Sequence, residues 1–368
     1  MNYCIRSRQL WIPSSRNLRI CNNNFILGKN MNLKFKKPSK ETQMAMSNVA
    51  RGEDNQDYHS LAEEKLVKIT NQSHAKLVNS GNSAILAAMN SIDGAILIPD
   101  QGAWNGFKQI AIFLKKDLNT VKTDKGLIDL NELNESIISS SNDNVIDLDD
   151  ENNKSALFLT SFAAYTAEQD LKAIYDFAHE NNILVVEDAS GAIGDYENRL
   201  ANGNYSDIII GSTGSPKIVN VEDGGFITTN DDGFFDKSKL LLKTNKASNI
   251  TACGIYNELD FAKDNLKKTI ESCSYLKEAI EYETSFNVFH KDKRGINVIL
   301  ETEDPKSLSY KLRQEFVLDS HGMITKCPNY NRLKEKAVAL EIKNLDIECL
   351  NQDNLDEIIK TLKCFDNN

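Results

Sequence analysis

Short apolar runs alternate with amphipathic segments through the middle of this 368-residue chain, and that alternation confines it to one class of architecture. Runs at Ala75–Val78, Ala95–Ile98, Ala156–Leu159, Ile183–Glu187, Asp207–Ile210 and Phe226–Thr228 read as strands. Segments Leu61–Thr70, Ser83–Ser91, Gly106–Phe113 and Ala167–Glu180 carry apolar residues at helical spacing. Strands separated by helices predict an α/β fold with a mostly parallel sheet sandwiched by helices, whose ligands sit at the carboxyl ends of the strands. Residues 31–230 are expected to form this large domain. Residues 231–368 are expected to form a smaller C-terminal α/β domain. It has helical stretches over 233–283, strands around Val288 and at Asn297–Leu300, and a closing helix Leu355–Leu362.

Two stretches stand apart. Residues 1–30 contain Arg6, Arg8, Arg16, Arg19 and Lys29, and the first acid is Glu41. Such a leader reads either as an organelle transit peptide or as an upstream start, with Met31 opening the natural chain, and it is expected to be disordered. Residues 139–154 are polar and acidic, and they predict a solvated loop within the large domain.

Charge and residue spacing exclude several functions. A net charge of −10 argues against nucleic acid or an anionic membrane as the partner. No apolar run approaches the roughly 20 residues that span a bilayer. The seven cysteines form no CxxC pair and the five histidines no cluster, so no metal site is expected. The cysteines read as reduced thiols of a cytoplasmic protein.

The chemistry gathers at the strand ends. Lys217 lies between two clusters of small residues, Gly211–Ser215 and Gly224–Gly225, and Asp188 ends the run Val185-Val186-Glu187-Asp188. A lysine and a buried acid at neighbouring strand ends suit pyridoxal 5'-phosphate. The amine forms the Schiff base, and the carboxylate keeps the pyridine nitrogen protonated. Ser80-Gly81-Asn82-Ser83 joins a strand to a helix start, where glycine and the first amides can receive a phosphate. Ser212 can add a hydroxyl to the same group, and Trp104 can stack on the pyridine ring. Each has a plain alternative: a helix cap, a structural serine, a hydrophobic anchor, a surface acid, a solvated lysine. A desolvated lysine beside a cation is expected to have a lowered pKa. Arg332 and Arg294 are candidates to grip a substrate carboxylate, or else surface arginines.

These residues resemble the DegT/DnrJ/EryC1/StrS aminotransferases of the fold-type I pyridoxal phosphate enzymes. The phosphate turn of that family is matched by Ser80–Ser83, and its Glu-Asp-Ala strand end by Glu187-Asp188-Ala189-Ser190-Gly191-Ala192. Its serine before and Gly-Gly after the Schiff-base lysine are matched by Ser212, Lys217, Gly224 and Gly225. The resemblance covers residues 55 to 230 and implies a fold-type I transferase. Catalysis would fall to Lys217 and Asp188, and cofactor binding to Gly81, Asn82, Ser83, Trp104, Asp188, Ser212 and Lys217. It also implies a homodimer that passes nitrogen from a small-molecule amino donor to a carbonyl acceptor, a keto sugar among the candidates. Two positions depart from the pattern: Gly191 replaces a Gln or His near the cofactor's phenolic oxygen, and Gly214 replaces a frequent His. A lyase or dehydratase on the same fold, or a non-catalytic binding protein, are the alternatives.

Overall fold

The central sheet has seven strands: β1 (His74–Val78), β2 (Ile96–Pro99), β3 (Leu118–Val121), β4 (Ser155–Thr160), β5 (Ile183–Asp188), β6 (Ile208–Ser212) and β7 (Gly225–Thr229). Their order is β1-β7-β6-β5-β4-β2-β3 in the computed structural model, which describes residues 20–21, 25–26, 33–142 and 154–366. The basic leader, apart from its two described pairs, and the acidic residues 143–153 lie outside that set. β7 runs antiparallel to β1 and β6, and every other pairing is parallel. β2 and β4 are buried along their whole length, which is why they read as continuous apolar runs.

Helices cover both faces: α1 (Lys40–Ala50), α2 (Tyr58–Thr70), α3 (Gly81–Ser91), α4 (Gly106–Phe113), α5 (Leu130–Asn142), α6 (Leu171–Glu180), α7 (Lys239–Thr244) and α8 (Asn249–Glu258). The period-two alternation of the strands sends Leu157, Leu159 and Val185 into one core and Ala156, Phe158 and Val186 into the other. α6 begins later than its apolar spacing suggests. Ala167–Glu168 pairs with Phe162–Ala163 in a short ribbon, and Asp170 then caps the helix. α5 runs to Asn142, so the expected acidic loop opens on the last turn of a helix.

The smaller lobe is a three-stranded antiparallel sheet, β8 (Val298–Glu301), β9 (Ile324–Lys326) and β10 (Ala337–Leu340), in the order β8-β10-β9. It packs with α9 (Ala262–Glu283), α10 (Pro305–Glu315) and α11 (Gln352–Asp366). Val288 contributes only a single bridge to Leu300. The packing does not divide at residue 230. Leu33 and Phe35 bridge to Leu318 and Leu345 inside the small-lobe core. Ala252, Ile255, Ala262, Leu266 and Ile270 belong to the core of the large lobe. Farther along α9, Cys273, Leu276 and Ile280 join the small lobe, so this helix runs from one core into the other. Among the described residues, no helix is long and apolar enough to cross a membrane.

The lobes are pinned at the strap 164–168. Lys277 Nζ donates to the carbonyls of Thr166, His290 and Lys293 at 2.6, 3.0 and 2.8 Å. A Cβ added at Gly295 would lie 2.2 Å from the Thr166 oxygen and 2.4 Å from its carbonyl carbon. Backbone cannot yield as a side chain does, so Gly295→Ala should cost about 3 kcal/mol, the top of the range for overpacking. A denaturant midpoint unchanged from wild type would show that the lobes do not depend on this approach.

Candidate active site

Asp188 closes β5, opposite Thr160 on β4 and Ile210 on β6, and it is buried. Its Oδ1 accepts from the Ser190 amide at 3.0 Å and from the Ser190 hydroxyl at 2.5 Å. Ser190 Oγ in turn accepts from the Ser212 amide at 2.8 Å, which ties the end of β6 to the acid. Glu187, one residue earlier on the strand, points elsewhere. It accepts from Ser161, Ser206 and the Ala201 amide, and burial pushes it up to about 7. Of the two adjacent acids, Asp188 is the one that raises Lys217.

The phosphate turn meets the lysine strand by contact. A Cβ at Gly81 would lie 2.5 Å from Ser212 Cβ, so only glycine lets the α3 start approach β6. Ser80 caps α3 by accepting from the Ser83 amide at 3.2 Å, and its carbonyl takes the Ala84 amide. Among the described residues, nothing accepts from the Asn82 amide. Asn82 Oδ1 accepts from Trp104 Nε1 at 2.9 Å. The Trp104 loop is held in turn by the small lobe: the Gly102 amide donates to the Tyr330 carbonyl and the Asn105 amide to Asn331 Oδ1.

Lys217 is half-buried, and its Nζ donates to the Tyr165 hydroxyl at 2.8 Å. Burial acts to lower this amine, yet the Tyr165 oxygen and Asp188 outweigh it and hold it above the ordinary lysine value, with Arg332 opposing. The amine is therefore raised where the sequence predicts a lowered one. The phenol was not foreseen, and its hydrogen bond favours the charged form. Around the Tyr165 ring stand three cations, Lys217 Nζ and Lys343 Nζ each at 5.2 Å and Arg332 Cζ at 4.9 Å. Arg332 closes its fork on Glu341, at 2.7 Å through Nε and 2.8 Å through Nη2. The fork expected to grip a substrate carboxylate is thus already filled. Asn297 Nδ2 also donates to Glu341, at 2.7 Å. Burial, with Arg332 and Lys217, pushes Lys343 down to about 7 against the pull of Glu341. Arg294 lies away from this group, bound to Glu168 and Asp195.

One run of contacts therefore links Trp104, Asn82, Gly81, Ser212, Ser190 and Asp188, and a second links Lys217, Tyr165, Arg332 and Glu341. Tyr165, Ser190, Glu341 and Lys343 were missed in the sequence. Tyr165 lies in the turn of the short ribbon that follows β4, and Lys343 follows β10, a strand of an antiparallel sheet to which the strand-end rule does not apply.

Three features fit pyridoxal phosphate. Gly81 and Ser212 form a cradle that a Cβ would fill, beside an open amide and the Ser83 hydroxyl at a helix start. The Thr160 hydroxyl, next to Asp188 on the sheet, is buried and has no partner among the described residues. Asp188 at the end of β5 acts on the charge of Lys217 in the loop that follows β6.

The family model described as the DegT/DnrJ/EryC1/StrS aminotransferase family matches residues 39–252, and that of the MJ1341 family C-terminal domain matches 263–363. GDP-perosamine synthase of Caulobacter vibrioides is 38% identical over 72 residues, a match that spans 20% of this chain and 19% of that protein. Among solved structures, the Helicobacter pylori aminotransferase PseC, involved in pseudoaminic acid biosynthesis, superposes with a TM-score of 0.70 at 15% identity, covering 92% of this chain and 100% of that one. Serine palmitoyltransferase of Sphingomonas wittichii reaches 0.70 at 11% identity, covering 90% and 86%. At such identities the likeness establishes the fold alone: a large, mostly parallel sheet flanked by helices, as in the fold-type I enzymes.

Proposed function

The chain belongs to the DegT/DnrJ/EryC1/StrS aminotransferase family, whose members depend on pyridoxal phosphate, and from that premise we propose that it moves an amino group from an amino acid to a carbonyl acceptor. The observation that carries this reading is the pair formed by the end of β5 and the loop after β6. Asp188 acts on the charge of Lys217, and Ser190 ties Asp188 to the serine that faces the phosphate turn.

When bound, the cofactor supplies an electron sink for the α-carbon of the substrate. The chain's own residues do the rest. Lys217 would hold the cofactor through Nζ, and Asp188 would face the ring nitrogen. The Asn82 amide, Ser83 and Ser212 would take the phosphate, with Gly81 giving them room. Trp104, hydrogen-bonded to Asn82, would cover the ring. Released when a substrate amine takes its place, Lys217 Nζ would carry the α-proton off the substrate carbon and relay it onward rather than hand it back, which requires the neutral amine, and Tyr165 and Asp188 bear on its charge. Arg332 is the proposed contact for a substrate carboxylate, by an exchange in which that carboxylate displaces Glu341 from the fork.

The acceptor we infer is a keto sugar. The family model and the match to GDP-perosamine synthase support it. Fold likeness does not choose, because a serine palmitoyltransferase superposes equally well. A homodimer, cytoplasmic placement and a division into cofactor and C-terminal domains belong to the same proposal.

The test is the absorbance spectrum of the purified chain with added pyridoxal phosphate, before and after borohydride, followed by peptide mapping. A pyridoxyl group on Lys217 is expected. A panel of amino acids without acceptor should then convert the cofactor to its amine form, as a lyase or dehydratase would not. No adduct and no visible band would mean that the fold is kept for binding.

A further inference from the structure

Position 191 has no side chain, and the space beside it is filled by a residue from another loop. A Cβ at Gly191 would meet the Tyr165 ring at 3.0 and 3.2 Å and Ile296 Cδ1 at 2.8 Å. The ring that occupies this space carries the hydroxyl that accepts from Lys217 Nζ.

Tyr165 does not rest there by local preference. Ala164 and Tyr165 have φ of 50° and 61°, two consecutive residues in the left-handed region that only glycine adopts freely. Such backbone persists when its surroundings over-determine it. Here the Ala164 amide donates to Gly102, and the Tyr165 carbonyl accepts from Ile296 and Asn297 at 2.8 and 2.9 Å. Lys277 holds the next carbonyl. The Tyr165 and Thr166 amides donate locally to Phe162 and Ala163, and the groups that hold their carbonyls come from beyond residue 270.

We propose that Tyr165 is the positioning residue of Lys217: its phenol occupies the space left by Gly191 and fixes Nζ, and the small lobe fixes the phenol. The inference rests on Lys217 being the reactive amine. A lysine amine on its flexible stem needs a defined partner to hold one direction. Four groups face Nζ or the ring: Tyr165, Asp188, Arg332 and Lys343. Only Tyr165 is a hydrogen-bond acceptor at contact distance, so its loss favours the neutral amine.

The test uses the full chain without cofactor, where the pH dependence of Lys217 acetylation by acetic anhydride is read by peptide mass spectrometry. In Tyr165→Phe, which keeps the ring, the midpoint should move down and acetylation at neutral pH should rise about tenfold, the size of a lost hydrogen bond to a charged group. A purely structural tyrosine would leave the profile unmoved, and that result overturns the proposal. Should Tyr165→Phe fail to fold, Gly191→Ala decides. Its methyl group displaces the ring and should shift the profile the same way, and an unshifted profile again overturns it. Adding pyridoxal phosphate to wild type separates the two readings. A chain that takes no cofactor sinks the aminotransferase, while the acetylation profile still judges Tyr165.

Discussion

Lys217→Ala is expected to leave a folded protein that has lost about ten-thousandfold in amino transfer, the upper end of what one positioned acid–base group contributes. The half-buried side chain makes one hydrogen bond, to Tyr165, so the fold loses little with it. The charge balance moves in a definite direction. Burial, Arg332 and Lys217 together push Lys343 down, so removing Lys217 shifts Lys343 toward its charged form. The neighbouring amine therefore becomes a poorer base, not a better one. Borohydride should leave no pyridoxyl group on any peptide. Retained turnover, or an adduct mapping to Lys343, would remove Lys217 from the mechanism.

Asp188→Asn should cost about a thousandfold, in the range for removing one pre-set electrostatic partner from a reacting centre. The amide oxygen can still accept from Ser190, so the link to Ser212 and the phosphate turn should survive. What disappears is the negative charge. It faces the ring nitrogen in the proposed complex, and it is also one of the two influences that hold Lys217 above its ordinary value. The variant should bind cofactor, react slowly, and show a Lys217 titration displaced downward. Loss of cofactor binding, with the Lys217 titration unmoved, would make Asp188 a structural acid.

The strands that end in Asp188 and Ser212, the second leading into the Lys217 loop, were readable because sheets covered on both faces demand continuous apolar runs, and β5 and β6 have them. The antiparallel course of β7 was not readable, since an apolar run carries no direction. β3 was missed because Leu118–Val121 lies at the sheet edge, half-exposed, with Asn and Thr in its four residues. β9, with three residues, is too short to show a period. Tyr165 escaped for another reason: its role comes from a glycine in a different loop and from amides more than a hundred residues away. Pairs of that kind are set by the fold and leave no spacing to find.

Leu33 and Phe35 lie in the same core as α11, near the other end of the chain. The large lobe is therefore an insertion in the path of the small one, and synthesis imposes an order on the pair. By the time Asp366 is made, the cofactor-binding sheet has long been complete, and domains of this size fold as they emerge. The small lobe can close only afterward, around its own early segment, by bringing Ile296 and Asn297 onto the strap that holds Tyr165. A ribosome-stalled chain ending near residue 290 should thus hold a finished sheet and an unset Lys217, and the segment at Ile296 and Asn297 is the one that arms the site.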